Sequence, residues 1–262
     1  MPHPTERVGV SSIRVAAATT VIAPWLGWIA CTGLLLGSDM ARAETSREFW
    51  PEFNAYLKLN ERTRAYLLAT SSRTDTGDGP NGAWSSRTQG TLGAHLDYSL
   101  TPVLRPDLLD RDWARNRYLW MRVGYQYSSS LNDSDSDTGF HENRGVFQVT
   151  GRTPPLAGDL EWIARARWDL RDRNGQDSSL YRLRLGFERQ FDLHAHAVVP
   201  YFHAETIYDT RYDAWKQQRY QAGVEVTLSG PWRIKPYLEA RNDNLSQPAH
   251  VRAFGLILQY YR

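Results

Sequence analysis

The stretch LYRLRLGFER, residues 180–189, alternates oily and charged side chains at every second position. Its oily parity consists of Tyr181, Leu183, Leu185 and Phe187. The opposite parity consists of Arg182, Arg184, Gly186 and Glu188. Successive side chains of an extended strand point to opposite faces, whereas the same charges on a helix would lie on every side. The stretch therefore predicts a β-strand with one oily face and one charged face.

The same alternation recurs along the chain. Residues 160–169, 219–228 and 232–241 repeat it. Similar segments occur at 50–59, 62–70, 87–99, 116–128, 142–152, 197–208 and 251–261. These segments make eleven candidate strands. Because single-chain bacterial barrels have an even number of strands, we expect about twelve, with ten as the alternative.

Strand length and spacing indicate a barrel in a membrane. The segments approach the roughly 9–11 residues that a tilted strand needs to cross a bilayer, which exceeds the length usual in soluble sandwiches. Long polar spacers, such as residues 171–178, alternate with short turns, such as 229–231, as loops and turns of outer-membrane barrels do. Aromatic side chains cluster at strand ends, as in membrane girdles: Tyr118, Trp120, Tyr125, Tyr127, Trp162, Trp168, Tyr208, Trp232 and Tyr260. Since open sheet edges are prohibitive in lipid, the sequence predicts a closed, all-β, antiparallel transmembrane β-barrel.

The first 43 residues are typical of a targeting segment. Arg7 and Arg14 precede an uncharged, largely apolar run over residues 15–38, and Ala41-Arg42-Ala43 follows it. A basic start, an apolar middle and a small-x-small end predict a cleaved secretory signal peptide over residues 1–43. The barrel would then span residues 44–262. Because the single cysteine, Cys31, lies in the cleaved part, the mature chain would have neither disulfides nor thiol chemistry.

Composition excludes two other classes of protein. The chain has 262 residues and a formal net charge of +2, and its mean hydropathy is −0.55. Only one run is long and apolar enough for a membrane helix, so a polytopic helical protein is excluded. The small net charge gives no reason to expect a nucleic-acid partner.

The charged parity is the candidate functional surface. If the oily side chains face lipid, the other parity lines the lumen with His95, Asp97, Arg122, Glu161, Arg165, Arg167, Arg182, Arg184, Glu188, His203, Glu205, Arg219, Glu225, Arg233, Lys235, Glu239 and Arg241. Arginine stays charged when buried and pairs bidentately with carboxylates. One interpretation is a plug of ion pairs that stiffens a narrow barrel, and another is a basic lining that selects anions. We therefore expect a structural protein or a narrow, anion-preferring channel.

The alternative function is an envelope lipid-modifying enzyme of the lipase or lipid A deacylase type. Such an enzyme needs a hydroxyl nucleophile within reach of a base on the lipid-facing wall. His95 and His203 fall on the predicted inner face, and the chain contains no G-x-S-x-G stretch. His194 and His196 are only two potential ligands, which is weak evidence for a metal. We predict no catalytic residue, metal site or cofactor, and a soluble periplasmic β protein stays as a third interpretation.

Several short motifs resemble those of a family of uncharacterised Gram-negative outer-membrane β-barrel proteins, the domain of unknown function DUF2490. They lie at residues 49–52, 57–64, 92–98, 115–118, 122–125, 181–186, 200–205 and 220–225, and the resemblance covers about 49–262. It implies a barrel in the outer membrane with no established activity, so no catalytic residues are transferred. The expected partners are outer-membrane lipids, lipopolysaccharide and, during insertion, the barrel-assembly machinery.

Overall fold

The computed structural model describes residues 45–75, 86–100, 118–131, 141–153, 160–193, 196–245 and 249–262. The predicted signal peptide, its cysteine and His194 lie outside these residues. The strands are β1 (Thr45–Lys58), β2 (Thr63–Asp75), β3 (Ser86–Ser99), β4 (Leu119–Ser130), β5 (His141–Arg152), β6 (Leu160–Arg173), β7 (Gln176–Arg189), β8 (Phe191–Leu193), β9 (His196–Asp209), β10 (Ala214–Thr227), β11 (Trp232–Asp243) and β12 (His250–Tyr261). No helix in the described part of the chain is long and apolar enough to cross a bilayer.

The strands form a closed barrel. Sequential antiparallel pairing runs from β1 to β7 and, after β8, from β9 to β12, while β7 pairs with β9 and β12 pairs with β1. The predicted transmembrane β-barrel of about twelve strands is confirmed. Of the strands in the described residues, eleven form the wall, and the short β8 pairs only with the start of β9. The described residues form an even number of strands in total, twelve, but an odd number of strands in the wall, eleven.

An odd-numbered wall determines how the barrel closes. In an up-and-down barrel with eleven wall strands, the first and the last strand run in the same direction. The β1–β12 seam is accordingly parallel, with Phe49 opposite Phe254 and Trp50 opposite Gly255. The rings of Phe49 and Phe254 stack with their centroids 5.9 Å apart. Every other pairing in the described wall is antiparallel.

The outer face of the wall is oily. Leu183 and Leu185 of β7 are 51% and 64% exposed, as expected for side chains that face acyl chains. Aromatic rings on this face form two rows, one nearer the end of the barrel where β12 ends (the turn end) and one nearer the opposite end (the loop end). The turn-end row includes Trp162, Phe187 and Phe202, and the loop-end row includes Trp168, Tyr181, Tyr208 and Trp215. Trp162 and Trp168 lie six positions apart on β6, or roughly 20 Å along the strand, which matches two girdles flanking an apolar band.

The connection between β6 and β7 is shorter than the sequence spacing indicates. Residues 171–178 read as a long polar loop, but the strands extend to Arg173 and resume at Gln176. Only Asn174 and Gly175 lie between them, with φ of 50° and 77°. Two positive φ angles are the signature of a tight hairpin turn, for which Asn-Gly is the favoured pair. The tight turn fixes the register of the two strands that are richest in arginine.

A packed aromatic cluster occupies one side of the interior. Tyr201, Tyr237 and Ile257 form it, and Trp50 packs against them. Gly255 is required there, because a Cβ at this position would lie 1.9 Å from Cζ of Tyr237. The cluster lies on strands from β9 to β1, apart from the arginine-rich strands β6 and β7.

Candidate functional site

Four arginines meet on the inner face of the β6–β7 hairpin. Arg165 and Arg167 alternate along β6, and Arg182 and Arg184 alternate along β7. The register places Arg165 opposite Arg184 and Arg167 opposite Arg182. Like charges directly opposite each other destabilise a strand pair. This arginine quartet therefore depends on carboxylates from neighbouring strands.

Glu205 of β9 is the main counter-charge of the quartet. Its side chain is 4% exposed. Arg182 donates to Oε1 from Nε at 3.1 Å and from Nη2 at 2.5 Å, and Arg184 donates from Nε to Oε2 at 2.8 Å. Arg165 donates to Oε2 as well. One buried carboxylate thus binds three guanidinium groups, two from β7 and one from β6.

Asp169 is the counter-charge of Arg167, the fourth arginine of the quartet. It is 0% exposed and accepts a hydrogen bond from Nε of Arg167 at 2.5 Å. Nη1 of Arg182 lies 3.6 Å from Oδ2, and Nη1 of Arg144 lies 3.8 Å from the same atom. Within the described residues, Glu205 and Asp169 are the carboxylates that contact the quartet, so it keeps an excess of positive charge.

The other predicted lining residues are distributed around the quartet. Each lies on the interior side of its strand. Towards the loop end, Arg241 contacts Glu48 at 3.2 Å. Nε of Arg219 lies 3.9 Å from Glu239. In the turn-end half, Arg122 pairs with Asp97, and Arg233 and Lys235 pair with Glu225. Glu161 and Glu188 both pair with Arg152, which was not predicted from the sequence.

A cavity of about 200 Å³ opens among the residues of the turn-end half. Within the described residues, its lining includes seven basic side chains and two carboxylates. Two of the quartet, Arg165 and Arg184, face it. Trp120 also lines it, although its position near a strand end had indicated a membrane girdle. Basic side chains therefore outnumber carboxylates in the lining of this cavity.

Several interior residues were not predicted from the sequence. Arg64 bonds Asp97 at 2.7 Å, and Arg171 bonds Asp209 at 2.9 Å. Arg144 pairs with Glu142. Most of these residues lie in segments where oily and charged side chains do not alternate strictly, so the sequence does not show which face is the interior one. Asp169 could have been predicted to face the interior, because it lies on the same face of the strand as Arg165 and Arg167.

The histidines do not form a hydrolytic couple within the described residues. His95 and His203 are buried inside, and their rings lie within hydrogen-bond distance of Gln126 and Gln221. The outward-facing His141 contacts the hydroxyl group of Tyr127. In the described part of the chain no histidine ring bonds a serine hydroxyl, and no cluster of three His, Cys, Asp or Glu residues has the arrangement of a metal site.

The fold and its interior define a transmembrane β-barrel with an ion-paired lumen. The chain belongs to the DUF2490 family, whose model carries the description "protein of unknown function" and matches residues 48–252. The resemblance seen in the sequence motifs is thereby confirmed. A search of curated protein sequences found no match.

Similar solved structures share the architecture at low sequence identity. LpxR from Salmonella typhimurium is 8% identical with a TM-score of 0.46, and the match covers 76% of this chain and 83% of that one. The β domain of the Bordetella autotransporter BrkA is 13% identical with a TM-score of 0.44, covering 75% and 82%. The anion-selective porin from Comamonas acidovorans is 12% identical with a TM-score of 0.33, covering 76% and 55%.

Proposed function

We propose that the protein is an outer-membrane β-barrel whose interior gives small anions a narrow, anion-preferring passage. The observation that carries this proposal is the arginine quartet. Its members lie opposite one another although such pairing costs stability. Glu205 and Asp169 neutralise only part of its charge. A basic constriction of this kind favours anions over cations, as rings of charged side chains do in other pores.

The passage is narrow because long side chains extend along the interior surface of the wall, each past a neighbouring strand. Arg165 of β6 reaches past β7 to Glu205 of β9, and Arg241 of β11 reaches past β12 to Glu48 of β1. The packed cluster of Tyr201, Tyr237 and Ile257 occupies further interior space. Barrels of this size have interiors that are largely filled by side chains. These contacts support a small conductance and argue against a wide diffusion pore.

The proposed setting is the outer membrane of a Gram-negative cell, in contact with its lipids and lipopolysaccharide. Residues 1–43 would direct export and be cleaved, and the barrel-assembly machinery would insert the mature chain. Mass spectrometry of the protein from isolated outer membranes tests this part. A mature chain that begins at Glu44 is expected, and an uncleaved chain in the inner-membrane fraction would contradict it.

Current measurements in planar bilayers test the passage. Across a KCl gradient, we expect small currents whose reversal potential has the sign of anion selectivity. The double variant Arg165→Gln and Arg184→Gln should lose most of this preference. The control Arg252→Gln, which alters an exposed cation on the outer face, should keep it. Large cation-selective steps, or no current at all, would contradict the proposal.

A further inference from the structure

The turn-end cavity has features of a binding site as well as of a passage. Arg64 and Arg122, both in its lining, share Asp97, and Arg165 and Arg184 share Glu205. Glu188 and Glu225 also line the cavity. Glu161 pairs with Arg152, which also lines the cavity, at 3.4 Å. Even with all five carboxylates counted, the seven basic side chains of the described lining leave a positive excess. A cavity of about 200 Å³ has room for several water molecules or for one small polyatomic anion.

The buried atoms of the lining that have no hydrogen-bond partner include three nitrogens, Nε1 of Trp120, Nε of Arg165 and Nε2 of His203, and two amide oxygens, Oε1 of Gln148 and Oε1 of Gln259. Indole and guanidinium N–H groups can only donate, so the missing partner of the first two atoms is an acceptor. Buried polar groups in native proteins are nearly always paired, with the protein, with water or with a ligand. The vacant donors and the charge excess therefore both indicate an anion with acceptor oxygens, and the two amide oxygens suit an anion that also carries a hydroxyl group.

We propose that this cavity binds a small, water-borne oxyanion of the phosphate type. A phosphate group offers several acceptor oxygens in different directions, which suits donors that reach the cavity from different strands. A guanidinium group can donate two parallel hydrogen bonds to two oxygens of a phosphate group. Lys235 adds a positive charge, and its Nζ lies 4.0 Å from the centroid of the Tyr201 ring. The cavity lies on the interior side of the wall, opposite the lipid-facing side chains, so a free solute fits better than a lipid headgroup. This proposal rests on the anion preference proposed above. It adds the chemical class of the anion, a phosphate-type oxyanion, and the place where the anion binds, the turn-end cavity.

Isothermal titration calorimetry of the detergent-solubilised protein with inorganic phosphate tests the site. We expect saturable binding that chloride at matched ionic strength does not reproduce. Trp120→Phe removes one donor but keeps an aromatic ring, and it should weaken the affinity about tenfold. Lys235→Gln should weaken it by a similar factor, about tenfold, through loss of charge. Lys216→Gln, at the start of β10 and outside the cavity lining, is the matched control and should bind as the wild type does.

The outcomes separate this site from the passage. Heat-modified gel migration first verifies that each variant is folded. The proposed site is refuted if phosphate shows no saturable binding. It is also refuted if the wild type, Trp120→Phe and Lys235→Gln bind phosphate with equal affinity. Tighter binding of short-chain phosphatidylglycerol than of phosphate would assign it to a lipid headgroup and overturn the soluble-anion assignment. Anion-selective currents without phosphate binding would refute the site alone, and phosphate binding without currents would refute the passage alone.

Discussion

At the scale of single residues, the interior depends on a few buried carboxylates. Glu205, whose carboxylate is buried, binds three guanidinium groups. A buried ion pair is costly to assemble and still more costly to break, because the surviving charge stays buried. The carboxylate therefore does more for folding than its number of contacts suggests, since it permits the arginine quartet to exist.

Glu205→Gln removes that charge with little change of volume. We expect the free energy of unfolding to fall by about 3–5 kcal/mol, the range for breaking a buried ion pair. Urea unfolding in lipid vesicles measures it. Glu61→Gln is the control, since Glu61 pairs with Lys58 at the surface and its loss should cost about 0–1 kcal/mol. Equal losses in the two variants would show that the quartet needs no buried counter-charge.

Single residues also show where sequence reasoning succeeds and where it fails. Arg165, Arg184 and Glu205 were predictable, because strict alternation assigns each of them a face. Trp120 was assigned to a membrane girdle because of its aromatic ring, although it shares the parity of Arg122, which indicates the interior. Which counter-ion each arginine finds was not predictable, since partners such as Arg165 and Glu205 lie on strands that are not adjacent.

At the scale of elements, the β6–β7 hairpin organises the site. Its two-residue turn aligns the strands so that the arginines fall opposite one another. The Asn174-Gly175 pair was present in the sequence as a hairpin signal, but the polar residues around it resemble a loop. The two strands continue up to the turn because hydrogen bonds between them and to their neighbours in the closed sheet extend that far. The local composition does not reveal this extension.

Gly175→Ala tests the turn. The residue has φ of 77°, and an added Cβ would meet nothing within 4 Å, so the cost is purely conformational. We expect a loss of about 1–2 kcal/mol in unfolding free energy. Gly145→Ala is the matched control, because its Cβ would make an ordinary 3.7 Å contact with Leu170 and its φ is not positive. A loss at position 145 as large as that at 175 would contradict the assigned turn geometry.

At the scale of the whole molecule, the number of wall strands fixes the direction of closure. The sequence supported eleven segments, and expectation from known bacterial barrels favoured an even total. The even total is reached through β8, which stays outside the wall. Alternation shows which segments are strands, but it carries no information on how the first and last strands meet. The parallel seam could therefore be learned only from the folded chain.

The pair Phe49→Cys and Phe254→Cys tests the seam. In the parallel register these positions are direct partners, at a spacing compatible with a disulfide. The expected mature chain has no other cysteine, so oxidation should produce a single cross-link. Non-reducing gels and mass spectrometry detect it. Phe49→Cys with Tyr260→Cys is the control pair and should not cross-link, and a preference for that pair would contradict the parallel closure.

Orientation of the two strand faces is the claim on which the barrel, the passage and the cavity all depend. Leu183 and Leu193 are 51% and 52% exposed, but Leu183 lies on the wall between the aromatic girdles and Leu193 lies on β8 outside the wall. A folding titration in lipid vesicles compares Leu183→Arg with Leu193→Arg. If the oily face contacts acyl chains, the first variant should lose about 2–4 kcal/mol and the second about 0–1 kcal/mol. Equal and small losses at the two positions would mean that Leu183 does not face lipid, which contradicts the account.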